Sequence, residues 1–311
     1  MKLLLVFIFL VPVQNFVYAQ SDSIIVHQLA KEVTATIDLP KNFSFKLSTQ
    51  LIFFALPNGN TTAQTMGKKL LVNDDWHFDI QHIAAQTKFI RQRITNENIV
   101  VVYLENKYKS WPLWKKNNAN YITLIPSFID TIVKSLAITK YSIHLNGHSG
   151  GGSFIFNYIQ SQKSIPRNIR RITFIDSNYG YDSTFTSKLI DWVKETSTHL
   201  LTIFAYNDSI ALYNGKPIVS ATGGTWYKSK LMMKDMANAF SFDAIMEDSV
   251  QHFYAYNRQV NIFLIDNPER KILHTQQVEL NGFIHSVLLN TKFESVDYQY
   301  FKQRAYTKFI Q

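Results

Sequence analysis

The chain has no cysteine, so it has neither a disulfide framework nor a thiolate metal site, and it lacks the lipidation cysteine of a bacterial lipoprotein. Its stability has to come from a buried apolar core. Glycine is scarce, 11 in 311 residues, and proline scarcer at 8, which excludes collagen-like and low-complexity organisations. Past the amino terminus no uncharged apolar run approaches the roughly 20 residues that span a bilayer, so stable membrane insertion is not expected. A dense basic tract is missing too. The 32 Lys and Arg against 23 Asp and Glu give a net charge of +9 that is spread along the chain, at Lys68-Lys69, Lys115-Lys116, Arg167 to Arg171 and Arg270-Lys271. Nucleic acid is therefore not an expected partner.

The first 19 residues carry one positive charge at Lys2, an apolar run from Leu3 to Val13, and small or branched residues at Val17 and Ala19. That is the pattern of a signal peptide cleaved after Ala19, and the expected destination is secretion or the periplasm. Residues 20–311 remain, enough for one large domain. Two sequons, Asn60-Thr-Thr62 and Asn207-Asp-Ser209, overlap the loops singled out below as catalytic. Glycans there would block the site, so a bacterial export route fits better than a eukaryotic one.

Apolar, β-branched runs alternate with helical patterns. Strands are expected at Lys46–Leu56, Asn98–Leu104, Tyr141–Leu145, Ile169–Asp176, His199–Tyr206 and Val260–Ile265. Helices are expected at Ile80–Arg93, Ile125–Leu136, Phe154–Gln160 and Phe185–Thr196, the last with Trp192 and Val193 facing inward. Strands separated by helices imply an α/β domain with a mainly parallel central sheet covered on both faces. The stretch 214–258 interrupts the alternation and is rich in Met and aromatics, among them Trp226, Met232, Met236 and Phe240. It reads as a cap inserted over the site before the last strand, with ordinary packing against the core as the alternative.

Four of the 11 glycines fall between Gly147 and Gly152, around Gly147-His148-Ser149-Gly150-Gly151. An alternating strand runs into this segment and a helix face leaves it. That is the form of a nucleophile elbow, in which a serine sits on a strained strand-to-helix turn. A phosphate-cradling turn fits less well. A dinucleotide fingerprint wants glycine where Ser149 stands, and a P-loop wants Lys before Ser or Thr where Ser153-Phe154 follows. No cofactor is therefore expected.

A serine hydroxyl is a weak nucleophile near neutral pH and needs a base and an orienting acid. Asp208, after the strand that ends at Tyr206, is the favoured acid, and Asp176, after the preceding strand, is its rival. Among nine histidines His285 is the favoured base, because it follows the last strand signal close to Gly282; His274 is the runner-up. The oxyanion of a tetrahedral intermediate needs two N–H donors. One is expected from Gly150 and the other from the loop after the strand at Lys46–Leu56, from Gly59 or Asn60. His148, Gln81, His82 and Trp226 are expected to line the substrate pocket. The acids and histidines of Asp74 to His82 do not share a face at metal-ligand spacing, so no metal is expected; Asp75 reads as a helix cap.

With these residues in place, the chain from about residue 45 to residue 300 resembles the α/β-hydrolase family. Pro57-Asn58-Gly59 matches its oxyanion loop, Gly147 to Gly151 its elbow, and Asp208 and His285 its later triad members. The resemblance implies a triad at the carboxyl edge of the sheet and acyl transfer through an acyl-serine. Asn58-Gly59 stands where many esterases of the family carry His-Gly. The expected activity is carboxylic-ester hydrolysis on a small-molecule or polymer substrate. A serine peptidase and a catalytically silent carbohydrate- or envelope-binding protein of the same fold are the alternatives.

Overall fold

A computed structural model describes residues 23–311, so the expected signal peptide lies outside the described residues. The chain begins with a hairpin, β1 (Ser23–Ala30) and β2 (Val33–Leu39), that sequence reading did not anticipate. Then come β3 (Ser48–Ala55), α1 (Thr62–Met66), α2 (Ile83–Arg91), β4 (Glu97–Asn106), α3 (Trp111–Asn117), α4 (Tyr121–Ser135), β5 (Tyr141–His148) and α5 (Gly152–Ser161). The second half runs through β6 (Ile169–Ile175), α6 (Thr186–Glu195), β7 (Leu200–Tyr206), a two-residue pair β8 (Leu212–Tyr213) and β9 (Lys216–Pro217), and α7 (Thr225–Met236). It closes with β10 (Phe242–Glu247), β11 (Val250–Ala255), β12 (Val260–Ile265), α8 (Gln276–Glu279) and α9 (Gly282–Leu288).

Ten strands form one sheet in the order β1-β2-β4-β3-β5-β6-β7-β12-β11-β10. The six inner strands from β4 to β12 pair in parallel, and the antiparallel pairs lie at the two edges. Burial explains the sequence signal of the inner strands. In β7 (LLTIFAY) and β12 (VNIFLI) every residue is buried, so both read as continuous apolar runs. The edge strand β1 instead alternates between half-buried and exposed positions along most of its length.

Helices α3 to α7 cover one face of the sheet, with Trp111, Trp114, Phe128, Phe154, Trp192, Met232 and Met236 in a single core. Helices α2 and α9 cover the other face with Phe89, Ile90, Phe283 and Val287. The chain runs from β3 outward to β4 and then returns to β5 on the other side of β3. The carboxyl ends of β3 and β5 therefore flank the point where the winding reverses, which is where open α/β sheets bind ligands.

The stretch 214–258 is not a cap. Helix α7 packs on β7 and α6 with Met232 and Met236 fully buried, and β10 and β11 extend the sheet beyond β12 as a meander. Met232, Met236 and Phe240 serve core packing, Met246 and Tyr256 are exposed, and none of the residues of this stretch lines the cavity at Ser149. Among the described residues, no helix is long and apolar enough to cross a membrane.

Candidate active site

Strand β5 delivers Ser149 into a tight turn that leads straight into α5. Ser149 has φ 54°, in the left-handed region that costs a residue with a Cβ roughly 1–3 kcal/mol. The surrounding packing imposes this geometry. A Cβ on Gly152 would stand 1.7 Å from the carbonyl oxygen of Ser177, so the turn closes only with glycine there. Ser149 is left half-buried at the mouth of α5, whose amino-terminal N–H groups and dipole favour negative charge nearby.

The strand beside the elbow ends in the acid that the structure pairs with a histidine. Asp176 follows β6, is fully buried, has φ 44°, and anchors its own N–H on the Phe204 carbonyl at 2.7 Å. Its Oδ2 is joined to Nδ1 of His274, and its Oδ1 accepts the Thr225 hydroxyl. His274 sits on the loop between β12 and α8, with its side chain 24% exposed. Its ring stacks on His148 at 4.5 Å between centroids, and His148 Nε2 meets the His274 carbonyl at 3.2 Å. Burial, and then the neighbouring His274, hold His148 well below the usual histidine range, so it packs as a neutral ring. That neutral ring donates from Nε2 to the carbonyl and fixes the loop that carries His274.

With Nδ1 committed to Asp176, Nε2 of His274 is the nitrogen left to act as a base, on a ring stacked against the residue before Ser149. Among the described residues no hydrogen bond joins Ser149 to His274. Such contacts commonly tighten only when substrate binds.

The favoured pair from sequence reading is not brought together. His285 lies inside α9 on the opposite core, 4% exposed, with Nδ1 at 3.0 Å from the Tyr298 hydroxyl and its ring stacked on Tyr300. It lines a separate cavity of about 410 Å³ with His252, Phe263 and Tyr300. Burial pushes it down to about 3, so it is neutral and closed in. The glycine read as freeing a loop, Gly282, opens this helix instead.

Asp208 is buried beside Asp176 but meets the amino terminus of α7. It accepts the N–H groups of Thr225 at 2.7 Å and Trp226 at 3.3 Å, and Thr225 Oγ1 lies at 3.3 Å. Burial first, and then the charge of Asp176, push it up to about 6. Thr225 thus links the two carboxyl groups, and of these two Asp176 is the one that touches a histidine.

The expected oxyanion donors are only partly placed. The Gly59 N–H is committed to the Lys109 carbonyl at 2.8 Å, and the Asn60 N–H faces the Pro57 carbonyl at 3.5 Å. Their neighbour Asn58 reaches the elbow. Its carboxamide lies so close to Gly150 that a Cβ there would stand 1.9 Å from Oδ1, and both residues line the cavity with Ser149. Gln81 and His82 are buried elsewhere, His82 against Asp79 at 2.6 Å and beside Tyr306. Trp226 holds Asp208 and stacks under Lys230, away from the cavity. Asp75 does cap the short turn Trp76–Asp79, accepting the His77 N–H at 3.1 Å.

The cavity at Ser149 measures about 730 Å³. Its walls include Tyr179 and a face of α5 made of Ser153, Asn157 and Gln160, the last three of which sequence reading did not assign. Their spacing after the elbow was a usable signal for the α5 face, whereas nothing in the sequence marks Thr225.

The strand order, the elbow after β5 and the covered parallel sheet define an α/β-hydrolase fold. Comparison with solved structures agrees. A thermostable esterase superposes with a TM-score of 0.52 at 14% identity over 86% of this chain, and the chain spans 62% of that protein's length. A protein from Capnocytophaga ochracea DSM 7271 gives 0.49 at 10% identity, covering 86% of this chain and 63% of its own length. The siderophore hydrolase EstB from Aspergillus nidulans gives 0.46 at 9%, covering 88% and 97%. At such identities the likeness is one of fold. No protein family and no curated protein matches the sequence.

Proposed function

We propose that the protein is a serine hydrolase, exported by its apolar amino-terminal segment, that cleaves carboxylic esters through an acyl-serine intermediate. The observation that carries this reading is the coincidence of three features at the carboxyl edge of the sheet. They are a serine held at φ 54° before a helix, a buried Asp176, and a half-exposed His274 bound to that aspartate through Nδ1.

In the proposed reaction His274 Nε2 takes the Ser149 proton as Oγ attacks the ester carbonyl. Asp176 holds the tautomer with the proton on Nδ1 and stabilises the imidazolium that forms. The Gly150 N–H and the Asn58 carboxamide N–H face the developing oxyanion, a stabilisation typically worth about 3–4 kcal/mol per donor. The imidazolium then protonates the leaving alcohol, and water activated by the same ring releases the acyl group.

The test is intact-mass labelling of the purified protein with a fluorophosphonate. One adduct is expected on the wild type, none on Ser149→Ala and little on His274→Ala, while His285→Phe labels normally. An unlabelled, folded wild type would remove the hydrolase reading and favour a binding protein built on the same fold.

A further inference from the structure

Resting on the serine-hydrolase reading, we propose that the acyl group taken at this site is polar and carries a carboxylate. Asn58 and Gly150 line the cavity with Ser149; His274 is not part of its wall and stands behind Tyr179, with the two ring centroids 6.4 Å apart. The leaving oxygen must face His274 to be protonated, so the cavity receives the acyl half of the ester.

The chemistry of the wall then sets the class. Helix α5 sends Phe154, Ile155 and Ile159 into the core, and it turns Ser153, Asn157 and Gln160 toward the cavity at positions i, i+4 and i+7. Asn157 Nδ2 donates to Ser153 Oγ at 3.4 Å and Gln160 Oε1 accepts the Tyr121 hydroxyl at 3.1 Å, so the Ser153 O–H and the Gln160 NH2 are the donors left to face the cavity, and an alkyl chain over them would return no hydrogen bond. Charge points the same way. Lys188 and Lys115 both line the cavity, and Asp182 is the carboxylate on its wall. Lys188 Nζ is fixed by the carbonyls of Ile159, at 2.8 Å, and Gln162, which uses two of its three donors. Lys115 Nζ lies 4.7 Å from the Tyr121 ring centroid. The Asp182 carboxylate is turned onto the Thr184 N–H at 2.9 Å and the Thr184 hydroxyl. Phe156 and Phe185, 4.8 Å apart between ring centroids, supply an apolar wall for a methylene stem. A carboxylate would accept from the Ser153 hydroxyl, the Gln160 amide and the lysines, while its methylene stem lies on Phe156 and Phe185.

The experiment compares two p-nitrophenyl esters of equal acyl length, the hexanoate and the monoester of adipic acid, on the full protein with spontaneous hydrolysis subtracted. The adipate is expected to show kcat/KM at least fivefold above the hexanoate at low salt, and the ratio should fall as salt is added. Lys115→Gln should cut the ratio by roughly fivefold, the scale of one partly exposed ion pair. Gln160→Leu, at an exposed position that tolerates substitution, should cut it by raising hexanoate turnover. A wild-type ratio at or below one, or cleavage of neither ester by a protein that still labels with fluorophosphonate, overturns the inference. Loss of labelling at Ser149 overturns the hydrolase reading itself.

Discussion

His274 and His285 both follow the last parallel strand, and in the sequence they look like interchangeable candidates for the same role. The fold gives them opposite environments. His274 stands on a loop, part-exposed, with a carboxylate on Nδ1; His285 is enclosed in a helix, with a phenol on Nδ1 and aromatic rings around it. A general base must gain and lose a proton during each turnover. That requires a nearby negative charge to stabilise the imidazolium and an opening toward substrate. Burial without a charge partner yields a structural histidine that stays neutral.

The largest test of this contrast is activity. His274→Ala should lower kcat by about 10³-fold or more, comparable to Ser149→Ala, because members of one catalytic unit fail together. His285→Phe should stay within about threefold. Equal losses in the two variants would erase the distinction, and ester-hydrolysis kinetics on both reads it directly.

The two acids give the next effect. Asp176→Asn should cost about 10³–10⁴-fold at neutral pH by holding His274 in the wrong tautomer. Asp208→Asn should cost less than tenfold and move the acid limb of the kcat/KM profile to lower pH, since it removes a negative charge beside the Asp176–His274 pair. The groups that meet at this point are Asp176, Tyr179, Tyr206 and the Thr225 hydroxyl, and Asp208 is the acid there pushed up to about 6. An acid limb that stays fixed in Asp208→Asn would dissociate Asp208 from the site. Asn58→Ala should lower kcat by about 10²-fold with KM little changed, as expected for a donor used in the transition state.

The remaining contrast lies in stability. His285 is pushed from about 6.5 in the unfolded chain down to about 3 in the fold, so between those values the unfolded state binds the extra proton. Its contribution is therefore intact above pH 6.5 and drains away as pH falls toward 3, by at most about 1.4 kcal/mol per unit. Asp208 has the reverse sign: raised to about 6, it favours the fold at low pH and loses that contribution as pH rises from about 4 to 6. Urea melts of His285→Phe between pH 7 and 4 should show a shallower acid loss than the wild type, and those of Asp208→Asn a steeper one.

Sequence reading reached the inner strands because residues buried on both sheet faces leave unbroken apolar runs, as in β4 and β12. It reached the elbow because a turn at φ 54° pressed against Ser177 concentrates glycines. It could not choose between the two aspartates for a different reason. Asp176 and Asp208 each end an inner strand, and they are told apart by Thr225 and Trp226, which arrive on α7 and claim Asp208. The edge hairpin was overlooked although β2 alternates Val33, Ala35, Ile37 and Leu39 with Thr34, Thr36 and Asp38; β1, with Ile24 and Val26 exposed, carries the weaker signal. Gly59 was misjudged because the carbonyl that occupies its N–H belongs to Lys109, far along the chain. The readings of the two aspartates and of Gly59 each turn on a partner supplied by a distant segment.

The pairing of β12 with β7 has a further consequence for the life of the chain. Ser149 and Asp176 are laid down on β5 and β6, but the loop bearing His274 exists only once the hairpin of β10 and β11 has led the chain back alongside β7. On the proposed assignment, a nascent, half-folded or carboxyl-truncated chain holds a strained serine with no base. Under that assignment hydrolysis would begin only as the last parallel strand docks, which would keep the nucleophile silent throughout synthesis.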